Sequence, residues 1–469
     1  MRGLGCLTTC LLLVACSGSK QEPKKTITIG AVYDDTGSNA NYYWEQARAL
    51  AVAQMNAALD QTAHGKNLTF SLESRGDQNN KNGGDYAQKL ARELAGLGAR
   101  ALFTDTSGVS GSVNGLNYDP TQPLALPIVC SPCSNNSVNN PQVTSADPVQ
   151  QLGYQDADNW LRRTSMPNSP QVAYLMQYLF SQAPNRDGDL NGDGITTIAA
   201  YVNSDGAGPG NFTGTIAPAA RAGYPGSDPT KLVLVQVNGA SESADPGAYP
   251  SYDADLAQLA AGNPDYILVY VLPGFAAGII KSYANSTLTP KPVMVHSASS
   301  MRAIIIQQVG NGANGQQGIG NEVYSANASG TQFAADLLAA TGAPPAGYDS
   351  NVYDAVATAM LGVLKAALPL DDPTLVATAD VRAALDNINV PGAQVVGTGT
   401  AEFVKAIDAI GTGTDLNYEG ASGPVDFDSV GDVRGNVAVW QIQAQQFATG
   451  HLWDCVNHTA DWTNCPSLP

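Results

Sequence analysis

The sequence predicts an α/β chain built as two doubly wound parallel-sheet lobes, and three observations carry that expectation. From Ile27 onward, short β-rich runs alternate with segments of helical periodicity, the pattern of parallel strands joined by crossover helices. A length of 469 residues exceeds what one hydrophobic core ordinarily serves, so two lobes are expected. Hydrophobic residues make up 43% and charged residues only 14%, and the 48 glycines read as surface loops of a globular chain rather than disorder. The net charge of −18 argues against nucleic acid as a partner, because phosphates call for clustered Lys and Arg.

The chain opens with Arg2, a short apolar run and the tetrapeptide Leu13-Val14-Ala15-Cys16. That run is too short for a bilayer core of about 30 Å, and small Ala15 suits a cleavage site. Residues 1–15 read as a bacterial lipoprotein signal peptide, with Cys16 acylated at the mature N-terminus. An ordinary secretory signal with a chance cysteine is the alternative. Polar residues 16–25 read as a lipidated flexible tether. No later apolar run reaches transmembrane length, so the expectation is a membrane-anchored lipoprotein of the cell envelope, on its periplasmic or extracellular face.

Strands follow at 27–33, 68–72, 101–104 and 124–129. The first helix shows Ala47, Leu50, Ala51, Met55, Ala58 and Leu59 at helical spacing, and another covers 86–97. A second set comprises a helix over 148–162 and strands at 195–202, 232–237, 265–272 and 293–296. A helix at 275–283 stands between the last two strands, and helices at 301–309, 331–340, 351–368 and 379–388 come after them. The last expected strand is 436–442. Ligands of open parallel sheets sit outside the carboxyl ends of the strands, so the loops after Tyr33, Thr104, Val129, Val202, Leu272 and His296 are the ones to watch.

Of seven cysteines, the four beyond Cys16 fall as Cys130-Ser131-Pro132-Cys133 and as Cys455 with Cys465. Two local disulfides are the simplest account in an oxidising compartment, with a redox-active CxxC as the alternative for the first pair. The tail also reads His451, Cys455, His458, Cys465, which are metal-ligand residue types at looser spacing than zinc sites use. A separate run, Asp187, Asp189, Asn191 and Asp193 with interleaved glycines, resembles the first half of a calcium loop. Its twelfth position counted from Asp189 is Ala200, where a bidentate Glu is expected. Structural calcium and a solvated acidic turn both remain open, and no other cofactor is required.

Catalytic signatures are missing from the sequence. Its four histidines are scattered, Gly108-Val-Ser110-Gly111 lacks nucleophile-elbow spacing, and neither a P-loop nor HExxH occurs. The expectation is therefore not an enzyme.

Several segments in order resemble the extracytoplasmic solute-binding proteins of the branched-chain amino-acid type, the type I periplasmic-binding fold. They are Thr28-Ile-Gly-Ala-Val with Thr36-Gly37, the run from Ala47 to Val52 with Asn56, Leu124-Ala-Leu-Pro127-Ile-Val, Asp147-Pro-Val-Gln150 and Asn263-Pro-Asp265-Tyr266. Most specific are Tyr353-Asp354-Ala355 and Tyr418-Glu-Gly420 followed by Ser422-Gly-Pro424-Val-Asp426-Phe-Asp428 and Gly431-Asp432-Val-Arg-Gly435.

The resemblance implies two lobes joined by three crossovers, with lobe 1 at 26–146 and 294–434 and lobe 2 at 147–293 and 435–454. Residues 455–469 then form a disulfide-stapled tail. It also implies a monomeric, lipid-anchored substrate-binding protein that traps a small polar metabolite, an amino acid or a relative, and delivers it to an ABC permease in the inner membrane. A ligand-sensing receptor and an envelope hydrolase are the alternatives.

On the same resemblance, lobe 1 holds ligand with Thr106, Ser107, Cys133, Ser134 and Asn135, while Tyr42, Tyr43 and Trp44 border the cleft. In lobe 2 the matching loops carry Asp205 where the family has a tyrosine, and Phe275 where an acid is expected. His296 ends a strand near the cleft and is either a ligand contact or a satisfied structural histidine.

Overall fold

The computed structural model describes residues 23–35, 42–78, 84–145, 147–204, 208–241, 244–455, 465 and 467–468. The first lobe begins with β1 (Lys25–Tyr33), α1 (Tyr42–Leu59), β2 (Leu68–Gly76), α2 (Asp85–Gly96) and β3 (Ala99–Thr104). It continues with α3 (Ser107–Gly115), β4 (Ile128–Cys130), α4 (Pro148–Gln155) and β5 (Leu161–Arg163). These strands make a wholly parallel sheet in the order β2-β1-β3-β4-β5. Successive residues point to opposite faces, and helices cover both. Ile27, Ile29 and Ala31 of β1 and Ala101 and Phe103 of β3 join one core cluster with α1. Val32 and Leu102 join the other, with α2 and α3. Burial on both faces explains why these strands read as continuous apolar runs.

The chain then crosses into the second lobe with α5 (Asn168–Gln182), β6 (Thr196–Val202), α6 (Gly208–Asn211), α7 (Ala217–Gly223) and β7 (Leu232–Asn238). There follow α8 (Tyr252–Ala260), β8 (Tyr266–Tyr270), α9 (Pro273–Asn285), β9 (Val293–His296), α10 (Ala303–Val309) and β10 (Gln317–Asn321). It returns to the first lobe as α11 (Ala328–Thr341), α12 (Asp349–Ala367), α13 (Thr378–Leu385), β11 (Gln394–Val396), α14 (Thr400–Gly411), β12 (Leu416–Gly420) and β13 (Gly423–Pro424). A third crossing leads into β14 (Val437–Gln443), β15 (Gln446–Trp453) and β16 (Ser467–Leu468). The second sheet runs β16-β15-β14-β10-β9-β8-β6-β7. It is parallel from β7 through β10 and antiparallel beyond.

Helix α12 is buried almost all round and packs in the same core cluster as α1, α13 and α14. The crossovers meet beside it: Thr164 Oγ1 donates to the Asn351 carbonyl at 2.7 Å, and Asn351 Nδ2 donates back to the Thr164 carbonyl at 2.6 Å. A cavity of about 10 Å³, room for one water, lies there among Thr164, Asn321, Glu322, Asn351 and Arg434.

The structure shifts two of the expected lobe boundaries. The helix expected to reach residue 162 stops at Gln155, because Asp156 turns left-handed at φ 43° and its carboxylate accepts the Trp160 and Leu161 amides at 2.9 and 2.8 Å. The strand β5 follows and pairs with β4, so 147–163 belongs to the first lobe rather than the second. Residues 293–321 belong to the second lobe rather than the first, since β9 pairs with both β8 and β10. The strand expected over 124–129 is ordered only from Ile128, because Pro127 offers no N–H and Ala125 sits at φ 51°. Val437–Gln443 is not the last strand: β15 and β16 extend the sheet's antiparallel edge.

Candidate functional site

The carboxyl ends of both sheets meet between the lobes. On the first lobe, β1, β2 and β3 lead straight into Asp34, Asp77 and Asp105, all buried. The Asp34 amide donates to Asp105 Oδ2 at 2.8 Å, while Asp105 Oδ1 has no partner among the described residues. Burial pushes the Asp105 carboxyl well above its ordinary range, and the nearby Asp34 and Asp77 charges push it further. Arg48 of α1 is buried beside it, its guanidinium carbon 4.2 Å from the Tyr33 ring centroid and 5.4 Å from that of Phe103. Oxygens of Asp34, Asp35 and Asp77 lie within 4.8 Å of one another, the one such trio of His, Cys, Asp or Glu among the described residues that could hold a cation.

The loops after β3 and β4 interlock. Thr106 sits at φ 53° and caps α3, its hydroxyl accepting the Val109 amide at 3.5 Å. Ser107 Oγ accepts the Asn135 amide at 3.1 Å. Cys133 is disulfide-bonded to Cys130, and its amide donates to Ser165 Oγ at 2.8 Å. Arg163 Nη1 donates to the carbonyls of Cys133 and Asn135, and Arg163 also pairs with Asp432. Thr106, Ser107, Cys133, Ser134 and Asn135 thus lie on two adjoining loops. Each is held by backbone hydrogen bonds or by the neighbouring loop, which fixes the wall they form.

The second lobe reaches across to them. Asn136 Nδ2 donates to Thr215 Oγ1 at 2.9 Å, from the loop after β4 to the segment before α7. Tyr270, at the end of β8, is buried and interacts electrostatically with Tyr348, which precedes α12 in the first lobe. Arg302, in the loop after β9, lays its guanidinium on Trp44 with the carbon 3.4 Å from the ring centroid and 5.9 Å from that of Tyr348. Ser131, Ser297 and Ser300, which follow β4 and β9, each carry a buried hydroxyl without a partner among the described residues. Strand-end loops so placed can enclose a small polar molecule.

Other expected site residues lie elsewhere. Phe275 is wholly buried in the core under α9, edge-on to Tyr249 at 6.3 Å, which makes it a packing residue rather than a cleft wall. His296 is buried within the second sheet, its Nε2 2.8 Å from Gln316 Oε1 and its ring stacked on Trp440. Burial lowers its pKa to about 4, so it stays neutral. Tyr42 and Tyr43 open α1, but their side chains lie outside the described residues, as do Asp205 and Cys16.

In the Asp-rich turn, Asp187, Asp189, Asn191 and Asp193 accept amides of their own loop at 2.6 to 3.2 Å. Its three acids do not bring oxygens within 4.8 Å of one another. Cys455 and Cys465 are joined, and Cys465 also receives support from Tyr174, whose hydroxyl accepts its amide at 2.6 Å. A surface hollow of about 350 Å³ beside Asn159, Asp386 and Phe427 lies next to the start of β5, away from the strand carboxyl ends.

Sequence reasoning pointed to the loops but missed their charged residues. Asp34 and Asp105 stand in loops that strand polarity had already marked. Arg302 lies inside a segment read as the start of a helix, and only its distance from β9 could have betrayed it.

No protein-family profile and no curated protein matches the chain. Solved structures do, and they establish the type I periplasmic-binding fold. A leucine-binding protein of Thermotoga maritima aligns over 91% of this chain and 98% of its own, at 14% identity and a TM-score of 0.62. The substrate-binding protein of a Streptococcus pneumoniae branched-chain amino acid transporter, solved with isoleucine, aligns over 91% and 100% at 15% identity and a TM-score of 0.61. A solute-binding protein of an ABC transporter from Rhodopseudomonas palustris, solved with 3,4-dihydroxybenzoic acid, aligns over 92% and 98% at 13% identity and a TM-score of 0.63. Among the described residues, no helix is long and apolar enough to cross a membrane.

Proposed function

We propose that this chain is the substrate-binding component of an ABC-type importer, holding a small polar metabolite between two lobes that close by hinge motion. The observation that carries the reading is the meeting of strand-end loops from both sheets, where Asn136 with Thr215 and Trp44 with Arg302 join across the gap. In this reading the three crossovers that come together beside Asn351 of α12, at Thr164, Glu322 and Arg434, are the hinge. Ligand binding shifts the open and closed populations, and a membrane permease reads the closed form. The fold neighbours solved with isoleucine and with 3,4-dihydroxybenzoic acid support a small-molecule role. In this reading Cys16 carries the lipid that anchors the protein to the envelope membrane, and no group acts as a catalyst.

Thermal unfolding against a metabolite panel tests it. Saturation at about 100 times Kd adds about 2.7 kcal/mol, and the bound compound is recovered unchanged. Turnover of the compound, or a panel that leaves the melting temperature where it was, counts against the reading.

A further inference from the structure

We propose that Arg302 is the anchor for a carboxylate on the transported molecule, which makes the ligand class a small monocarboxylate. This rests on the solute-binding reading above. Arg302 is only 4% exposed, forms no ion pair among the described residues, and leaves Nε and Nη1 without hydrogen-bond partners. A buried guanidinium without a partner is costly, whereas the same group facing a carboxylate forms charge-assisted bonds. One of its faces is already occupied by the Trp44 indole, which fixes its plane and leaves the edge donors for a ligand.

None of the acids around Arg302 forms an ion pair with it among the described residues, although Asp105 Oδ1 and Asp349 Oδ1 are themselves without partners. Asp349 Oδ2 is committed to the Ala346 amide at 2.7 Å, and burial raises this carboxyl to about 7. Asp105 Oδ2 is committed to the Asp34 amide. Burial raises the Asp105 carboxyl too, which weakens it as a counter-ion. Asp34 adds a weaker electrostatic interaction with Arg302, and one guanidinium edge engages one carboxylate. Ser300, two residues before Arg302, offers an unpartnered buried hydroxyl as a further donor.

The experiment compares wild type, R302Q and R302K by thermal unfolding and calorimetric titration. The panel holds monocarboxylates, with benzoate, leucine and short 2-oxo acids among them, their matched amides, dicarboxylates, amines, sugars and nucleosides. Wild type is expected to bind a monocarboxylate and to refuse its amide. R302Q weakens that binding by about 10- to 100-fold, the loss of one hydrogen bond to a charged group. Its ligand-free melting temperature does not fall, since an unpaired buried charge has been removed. R302K keeps the charge without the planar fork and retains part of the affinity, so it carries the test if R302Q does not fold.

Three results overturn the assignment while leaving the solute-binding reading intact. They are selective binding of a neutral, cationic or dicarboxylic compound, equal affinity of R302Q for the monocarboxylate, and equal binding of acid and amide. A panel in which no compound binds overturns both.

Discussion

Asp354 shows how one residue ties the second half of the first lobe together. Its buried carboxylate accepts the Tyr418 hydroxyl at 2.8 Å, the Ala421 amide at 2.8 Å, and the Ser422 amide and hydroxyl at 2.7 and 2.6 Å. D354A would leave those donors unsatisfied in the core. The expected cost is about 3 kcal/mol or more, read from urea unfolding. Burial nevertheless raises Asp354 to about 6 and Asp349 to about 7, against an ordinary 3.8. The folded chain therefore binds these protons more tightly than the unfolded chain does. Their stabilising contribution is full below the ordinary value and is lost as pH rises through about 6 and 7. Crowding of negative charge in a chain of net charge −18 acts in the same direction. The melting temperature is expected to be higher at about pH 5 than at about pH 8.

The segments around Tyr353 and Tyr418 stood out in the sequence as motifs, and the structure gives their reason in this carboxylate. Arg302 did not stand out, because nothing local distinguishes an arginine on an indole across a cleft from one on a helix surface.

At the scale of elements, the contact of α3 with α4 depends on missing side chains. A Cβ on Gly153 would lie 1.9 Å from the Gly111 carbonyl oxygen and 2.5 Å from the Gly115 amide, both backbone atoms that cannot step aside. G153A is expected to cost about 2 kcal/mol in urea unfolding. It is also expected to weaken ligand binding, because α3 begins at Ser107 beside the proposed site.

The Asp-rich turn carries an expectation of its own. Its acids are engaged by loop amides and do not converge, so added calcium or chelator is expected to leave the melting temperature unchanged. A clear calcium-dependent shift would restore the metal reading. Long periodic elements such as α12 and the central strands were legible because burial imprints a pattern on the sequence. The short β5 was not, since three residues carry no period and its start depends on Asp156 capping a turn.

For the whole molecule, alternation and length were enough to suggest two doubly wound lobes. The lobe boundaries were not legible in the same way. Whether 293–321 joins one sheet or the other depends on which distant strand β9 pairs with, and no local residue choice records that. The contact between the lobes is equally a property of the assembled chain, because Asn136 and Thr215 are 79 residues apart yet hydrogen-bonded.

The central claim, that the lobes close on a small molecule, is tested most directly by the distance between fluorophores placed at Lys89 on lobe 1 and Lys231 on lobe 2 during titration with the metabolite panel. The account expects one compound to shorten that distance saturably, with one-to-one stoichiometry and full reversal on dialysis. A distance that stays constant while a compound binds, or a compound that is consumed as it acts, would contradict it.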